Sequence, residues 1–214
     1  MFKNIFRRGI VLRPRIGGSP LPHTPQRKQE TRERILRGAR RLFNRKGFGE
    51  VTIDEIMTEA GLTRGGFYRH FTTKDELYSE ALRQFTCKNP PEDWQRKHVD
   101  PCAQGATLAR MIMDAYLSED HLQDRDGSCP TAGLASDVSR SSARVKKAFR
   151  EVVEMMLTVF AGGLRGPDAR GRALALVSLC VGAMVVARAV DDPALANALR
   201  EAARKHVLAS SGWR

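Results

Sequence analysis

Ten residues, LTRGGFYRHF from Leu62 to Phe71, combine side chains in a way that is unusual for a purely structural helix. They include two adjacent glycines, three aromatic residues, two arginines and a histidine. Glycine inside a helix costs on the order of 1 kcal/mol relative to alanine, so the pair needs a reason other than helix formation. Arginine, tyrosine and histidine supply hydrogen-bond donors that suit phosphates and base edges. The segment therefore indicates a surface that meets nucleic acid.

Two faces of this segment separate on a helical wheel drawn at about 100° per residue. Phe67 and Phe71 lie four residues apart on one face and are predicted to pack into a core. A helix that enters the major groove of DNA needs a bare backbone and polar donors on its outer face. The predicted outer face has both, since it carries Gly65, Gly66 and Arg69, with Tyr68 and His70 beside them and Arg64 at the helix start.

The excess positive charge of the chain is concentrated in the N-terminal part of the sequence, which contains this segment. The formal net charge is +12, and residues 1–84 hold 18 of the 36 Lys and Arg residues but only 9 of the 24 Asp and Glu residues. Such a basic region is typical of a surface that meets phosphate or anionic lipid, although charge excess alone is also compatible with solubility. Residues 1–24 contain five basic and no acidic residues and are predicted to form a disordered basic arm.

Helical periodicity runs through the rest of the chain without an alternating strand pattern, so the fold is predicted to be all-α. The first helix is predicted to begin at Thr24 and Pro25 and to stop at Gly47. Gly61 should end the second helix in a left-handed conformation. Three further helix starts, each with an N-cap threonine, crowd into a short stretch: Thr52 with Glu55, Thr63, and Thr73 with Glu76.

The segment TIDEIMTEAGLTRGGFYRHFTTKDEL resembles the helix-turn-helix of the TetR family of bacterial repressors. The resemblance spans about Thr31 to Leu77, and several fixed spacings agree. It implies an all-α protein with an N-terminal three-helix helix-turn-helix DNA-binding domain and a C-terminal helical domain for ligand binding and dimerisation. Met57 departs from the pattern, since alanine is common at that position in the family.

The resemblance also implies roles for individual residues that match the motif. Each role has a structural alternative: the threonines can serve as caps only, and His70 can pack beside the core. Arg64 and Gly65 would approach base edges. The phosphate backbone would be contacted by Thr52, Thr63, Tyr68, His70 and Lys74.

A change of composition between Cys87 and Gln104 predicts a linker, which divides the chain into 1–24, a DNA-binding domain at 25–85 and an effector-binding and dimerisation domain at 86–214. As the resemblance implies, a small molecule in the last domain would move the helix from Lys74 to Gln84. An apolar, methionine-bearing set could adapt to an apolar effector, although a residue of this kind at helical spacing more often belongs to the core than to a pocket. These candidates are Met111, Ala115, Tyr116, Leu134, Phe149, Val152, Val153 and Met156.

The last two predicted helices, at about 167–190 and 193–209, differ from the others because the first is apolar on every side through its middle. Such a helix must be covered all round, so we predict a homodimer through these two helices, with burial inside one subunit as the alternative. The apolar run from Ala173 to Ala187 is shorter than the ~18 residues of a membrane span, which argues against a membrane protein.

The four cysteines show no CxxC pairing, which favours a reducing, cytoplasmic location over a disulfide framework or a zinc ribbon. Cys87, His98 and Cys102 match no familiar metal-site spacing, so no metal or cofactor is predicted. The motifs contain no acid pair, Ser/His/Asp set or nucleotide-binding loop, which argues against an enzyme. Cys129 precedes a predicted helix start, where a thiolate would be stabilised. The alternative to a repressor that a ligand releases is therefore a repressor that senses oxidants or electrophiles through this thiol.

Overall fold

A computed structural model describes residues 25–85, 99–100, 102–210 and 213, and every regular element within these ranges is a helix. The predicted all-α class is therefore confirmed. The predicted arm at 1–24, Cys87 and His98 lie outside the described residues.

The N-terminal part consists of α1 (Pro25–Glu50), α2 (Ile53–Glu59), a 3-10 helix (Arg64–Arg69) that we call the recognition helix, and α3 (Lys74–Arg83). Gly47 interrupts α1 where the sequence predicts it to stop, with φ 79° and ψ 166°. Only glycine adopts this backbone easily, and a Cβ there would also lie 2.5 Å from Asp137 Oδ2. Gly61 has the predicted left-handed backbone, with φ 65°.

The predicted helix starts are confirmed in part. At α2 the capping box is complete, since Thr52 Oγ1 accepts from the Glu55 amide at 3.2 Å and the Thr52 amide donates to Glu55 Oε2 at 2.8 Å. Thr73 caps α3, but the carboxylate of Glu76 accepts from the amide of Thr72 at 2.7 Å instead of closing the box on Thr73. Thr63 occupies the N-cap position of the recognition helix without a side-chain capping bond, so its predicted capping role is wrong.

The described residues of the C-terminal part form seven helices: α4 (Gly105–Tyr116), α5 (Glu119–Gln123), α6 (Pro130–Gly133), α7 (Ala135–Ser139), α8 (Ala143–Gly163), α9 (Ala169–Ala189) and α10 (Pro193–Ser210). The last two helices, α9 and α10, begin and end within two residues of their predicted limits. Among the described residues, α9 is long and apolar enough to cross a membrane by length and composition alone, which is weak evidence because core helices pass the same test.

Two apolar cores hold these helices together. The first contains Phe43, Phe67 and Tyr78 from the N-terminal part, but it also contains Val145 and Val152 of α8. The second lies among α4, α8, α9 and α10. Because α8 contributes to both cores, a shift of this helix would change its packing against the N-terminal helices and against α9 at the same time.

Candidate nucleic-acid interface

The recognition helix is held by its two phenylalanines, as predicted. Phe67 and Phe71 are 0% and 2% exposed, and their ring centroids lie 5.8 Å apart. Tyr68 lies between them in sequence but is 61% exposed, with its ring edge-on to Phe67. The buried pair thus fixes the orientation of the helix and leaves the tyrosine hydroxyl free to reach a phosphate.

The two glycines have different surroundings, so the prediction that both lie on the exposed outer face is wrong for one of them. Gly65 is exposed, and a Cβ there would meet nothing within 4 Å. Gly66 is half-buried instead, and its Cβ would lie 3.3 Å from Cε of Met57. A 3-10 helix has about three residues per turn rather than 3.6, so the wheel misplaced Gly66. Met57, itself 1% exposed, fills the space beneath it.

Arg64 lies at the exposed start of the recognition helix and pairs with Asp54 in the first turn of α2. Its NH1 donates to Asp54 Oδ2 at 2.8 Å, and the two side chains are 65% and 55% exposed. The guanidinium is therefore accessible, but a carboxylate from the neighbouring helix already orients it.

Lys74 begins α3 beside the recognition helix, as predicted, and its ammonium lies over an aromatic ring. Nζ is 4.3 Å from the centroid of Phe48, and the residue is half-buried. Burial lowers the pKa of Lys74, while Asp75 and Glu55 act against this shift. The cation–π contact holds this charge beside the recognition helix.

His70 ends the recognition helix in a half-buried position. Its Nδ1 is buried and has no hydrogen-bond partner in the part of the chain that the structure describes. Burial lowers its pKa, and the positive charges of Lys28, Arg32 and Arg69 add to the effect. The buried nitrogen is not accessible to DNA in this position, which matches packing beside the core, and a phosphate contact by His70 stays a prediction.

Further arginines, which the sequence did not single out, fix α1 against the helix-turn-helix. Arg34 NH2 donates to the carbonyl of Ala60 at 2.6 Å, at the end of α2. Arg32 pairs with Glu80 of α3 and lies 4.4 Å over the ring of Phe71. Arg32 and Arg34 lie only two residues apart among the many charged residues of α1, so the sequence alone could not indicate which of them contacts α2 and which contacts α3.

Comparison with known proteins agrees with this architecture. Residues 35–81 match the sequence profile of the family described as bacterial regulatory proteins, tetR family. The HTH-type transcriptional regulator AcrR of Shigella flexneri is 47% identical over 57 residues, which cover 27% of this chain and 26% of AcrR. The HTH-type transcriptional regulator LmrA of Bacillus subtilis is 28% identical over 142 residues, covering 64% of this chain and 72% of LmrA.

A solved TetR transcriptional regulator from Chloroflexus aurantiacus superposes with a TM-score of 0.66 at 23% identity, over 86% of this chain and 96% of that one. Residues 35–81 are those of a TetR-family regulator. The match to AcrR spans only about a quarter of that protein. The likeness to the Chloroflexus regulator extends the shared fold over the C-terminal helices.

The predicted effector residues divide between the two cores. Leu134, Phe149 and Val152 belong to the first core, whereas Tyr116, Val153 and Met156 belong to the second. Met111 and Ala115 are half-buried on α4. The four members on α8, which are Phe149, Val152, Val153 and Met156, span the boundary between the cores, whereas Met111, Ala115 and Tyr116 lie on α4.

A polar cluster lies within the second core beside these residues. The hydroxyl of Tyr116 is 3.0 Å from Thr131 Oγ1, which is 3.1 Å from Cys129 Sγ. Burial raises the pKa of Tyr116 well above its usual range. His121 is 2% exposed, with Nδ1 2.6 Å from the carbonyl of Tyr116 and Nε2 accepting from the Cys129 amide at 3.2 Å.

The loop at 124–128 joins this cluster to α1. Asn44 Nδ2 donates to the carbonyls of Asp126 and Ser128, at 3.0 and 3.1 Å. On the other side, Arg188 of α9 donates to the carbonyls of His121 and Asp124. The loop thus contacts both the first helix of the DNA-binding part and the apolar helix α9.

Neither Cys129 nor Cys102 belongs to a metal-binding group within the described ranges, where no three His, Cys, Asp or Glu side chains lie close enough to hold an ion. Cys102 is exposed, and Cys180 is buried, which raises the pKa of its thiol to about 12. Cys180 is therefore a core thiol.

Proposed function

We propose that this protein is a cytoplasmic, sequence-specific DNA-binding transcriptional regulator that acts as a repressor. The observation that carries the proposal is the recognition helix, which two buried phenylalanines anchor while Arg64, Gly65 and Tyr68 remain exposed. Thr52, Thr63, His70 and Lys74 surround that surface and supply candidate phosphate contacts. The domain division at 1–24, 25–85 and 86–214 is part of the same proposal.

The regulator is proposed to read a palindromic operator as a homodimer. A dimer matches two half-sites about 34 to 36 Å apart, or a multiple of that distance, so the partner subunit sets the spacing of the recognition helices. The exposed apolar side chains of α9 and α10 support a dimer through these helices: Leu174, Val185, Val186 and Leu195. Gly182 lies on the same face, and a Cβ there would meet nothing within 4 Å.

A small, mainly apolar effector is proposed to bind along α8 and release the operator. Candidate contacts are the eight predicted effector residues, among which the hydroxyl of Tyr116 supplies a polar group. Movement of α8 would act directly on α3, because Arg83 donates to Glu151 of α8 at 2.9 Å and Arg144 of α8 lies 3.7 Å from Glu76. The effector must bind the DNA-incompatible form more tightly, since equal affinity for both forms shifts nothing.

Selection of bound duplexes from a random pool tests the DNA-binding proposal. We expect a palindromic consensus, and we expect Arg64→Ala to cost about 1 to 3 kcal/mol at one base pair of each half-site while random duplexes are affected less. An equal loss on operator and random DNA would contradict base reading by Arg64. Failure of the wild-type protein to prefer any duplex at moderate salt would reject the function itself.

A second candidate function is release of DNA by an oxidant or electrophile that modifies Cys129. It is favoured by the position of this residue in the polar cluster, where its amide donates to His121 and the adjacent loop contacts Asn44. Modification of the thiol would displace Thr131 and disturb that loop. We expect Cys129→Ser to keep operator binding and to abolish release by peroxide or an alkylating agent; normal release from this variant would rule the thiol out.

A further inference from the structure

We propose that Asp54 is a specificity-determining residue, which holds Arg64 in the geometry that reads a base and disfavours contacts with DNA of any other sequence. The proposal rests on the DNA-binding function above and names the residue that sets its selectivity. It starts from the ion pair between Asp54 and Arg64, which joins α2 to the recognition helix across the Gly61 turn.

The pair contributes little to folding. Both side chains are more than half exposed, and ion pairs in water add little to stability. Arg64 can also leave this position, since its side chain is 65% exposed. The bond therefore selects one orientation of a long, otherwise mobile side chain without being needed to hold the helices together.

The charge of Asp54 acts against DNA binding in general. The carboxylate of neighbouring Glu55 pairs with Lys46 Nζ at 2.7 Å and accepts a hydrogen bond from the Thr52 amide. Its negative charge is therefore largely neutralised within the protein. Asp54 has Arg64 as its cationic partner within the described part of the chain. If Arg64 turned to a phosphate, Asp54 would be left unpaired beside the polyanion, which lowers the affinity for random sequence.

A G·C pair removes this penalty. Arginine donates two hydrogen bonds to guanine O6 and N7, and a carboxylate accepts from the N4 amino group of cytosine. Arg64 and Asp54 together present the donors and the acceptor that one G·C pair matches. We therefore infer that the base pair read by this corner of the recognition helix is G·C.

The ordinary alternative is that Asp54 only stabilises the start of α2, where acidic side chains favour the positive end of the helix. The substitution Asp54→Asn would weaken that effect and would also remove the charge. A matched control is needed, because any loss of negative charge raises the affinity for DNA. Glu59 at the other end of α2 supplies it, since it pairs with Arg41 at 2.8 Å.

The experiment measures the affinities of full-length Asp54→Asn and Glu59→Gln for the selected operator and for a random duplex at several salt concentrations. We expect Asp54→Asn to bind random duplex about 3- to 10-fold more tightly and to lose about tenfold in the operator-to-random ratio. Glu59→Gln should leave that ratio within about twofold. In an Arg64→Ala background, Asp54→Asn should change the ratio much less than in the wild-type background, because only the contact with cytosine is then left to lose.

An unchanged ratio in Asp54→Asn, with the wild-type protein still discriminating, would overturn this inference and leave the DNA-binding function intact. A selected half-site without a G·C pair at the position affected by Arg64→Ala would do the same. Loss of discrimination in the wild-type protein would instead overturn the function. Thermal melts of both variants show whether a change in folding explains either result.

Discussion

At the scale of single residues, Lys74 shows how one side chain can serve both the fold and the ligand. Its ammonium lies over Phe48, so Lys74→Ala removes a cation–π contact worth about 0.5 to 1 kcal/mol as well as a phosphate contact. We expect weaker binding to all duplexes and a slope of log affinity against log salt that falls by about one unit. Binding titrations across salt concentrations test this expectation.

Lys146→Ala is the matched control, because this exposed lysine on α8 carries the same charge without the ring contact. It should leave both the salt slope and the melting temperature nearly unchanged. A salt slope that is the same in Lys74→Ala and the wild-type protein would argue against a phosphate contact. A lower melting temperature alone would leave only the packing role.

At the scale of elements, the capping box of α2 makes stability depend on pH. Hydrogen bonds from Lys46 and Thr52 lower the pKa of Glu55 from 4.5 to about 2. A depressed carboxyl pKa stabilises the folded chain fully above the unfolded value, and this contribution is lost as the pH falls toward the folded value. We therefore expect Glu55→Gln to lower the urea midpoint at about pH 5 to 7, and the difference from wild type to shrink between about pH 4.5 and pH 2.

The same substitution at exposed Glu50, at the end of α1, is the control and should show a smaller difference at neutral pH. A gap between wild type and Glu55→Gln that stays constant down to about pH 2 would mean that the charge of Glu55 does not stabilise α2.

Sequence reasoning predicted these elements well where local chemistry decides them. Gly47 interrupts α1, Gly61 follows α2 with a left-handed backbone, and Thr52 with Glu55 begins α2, because backbone conformation and capping are set within a few residues. It failed where packing decides. The 3-10 form of the recognition helix and the burial of Gly66 against Met57 depend on α2, which a wheel cannot include. The partners Asp54 and Phe48, ten and 26 residues from Arg64 and Lys74, required the folded chain.

At the scale of the whole molecule, α9 explains why the protein should act as a pair of subunits. Its buried face includes Ala173, Cys180 and Met184, yet Val185 and Val186 on the opposite side are 41% and 48% exposed. Apolar side chains aligned along one helix face mark an interaction surface. A second copy of the same helix can cover it, and the small Gly182 permits close approach.

We therefore expect Val185→Asp to produce a monomer in sedimentation experiments, because a buried unpaired carboxylate at the centre of the interface is costly. Each subunit keeps its recognition helix but loses its linked partner, so affinity for the full palindrome should fall by about 10²- to 10⁴-fold while binding to a single half-site persists weakly. Thr158→Asp introduces the same charge at an exposed position of α8 and should remain dimeric. A dimeric Val185→Asp protein with normal operator affinity would place the subunit contact elsewhere, and the fixed spacing of two recognition helices would then need another cause.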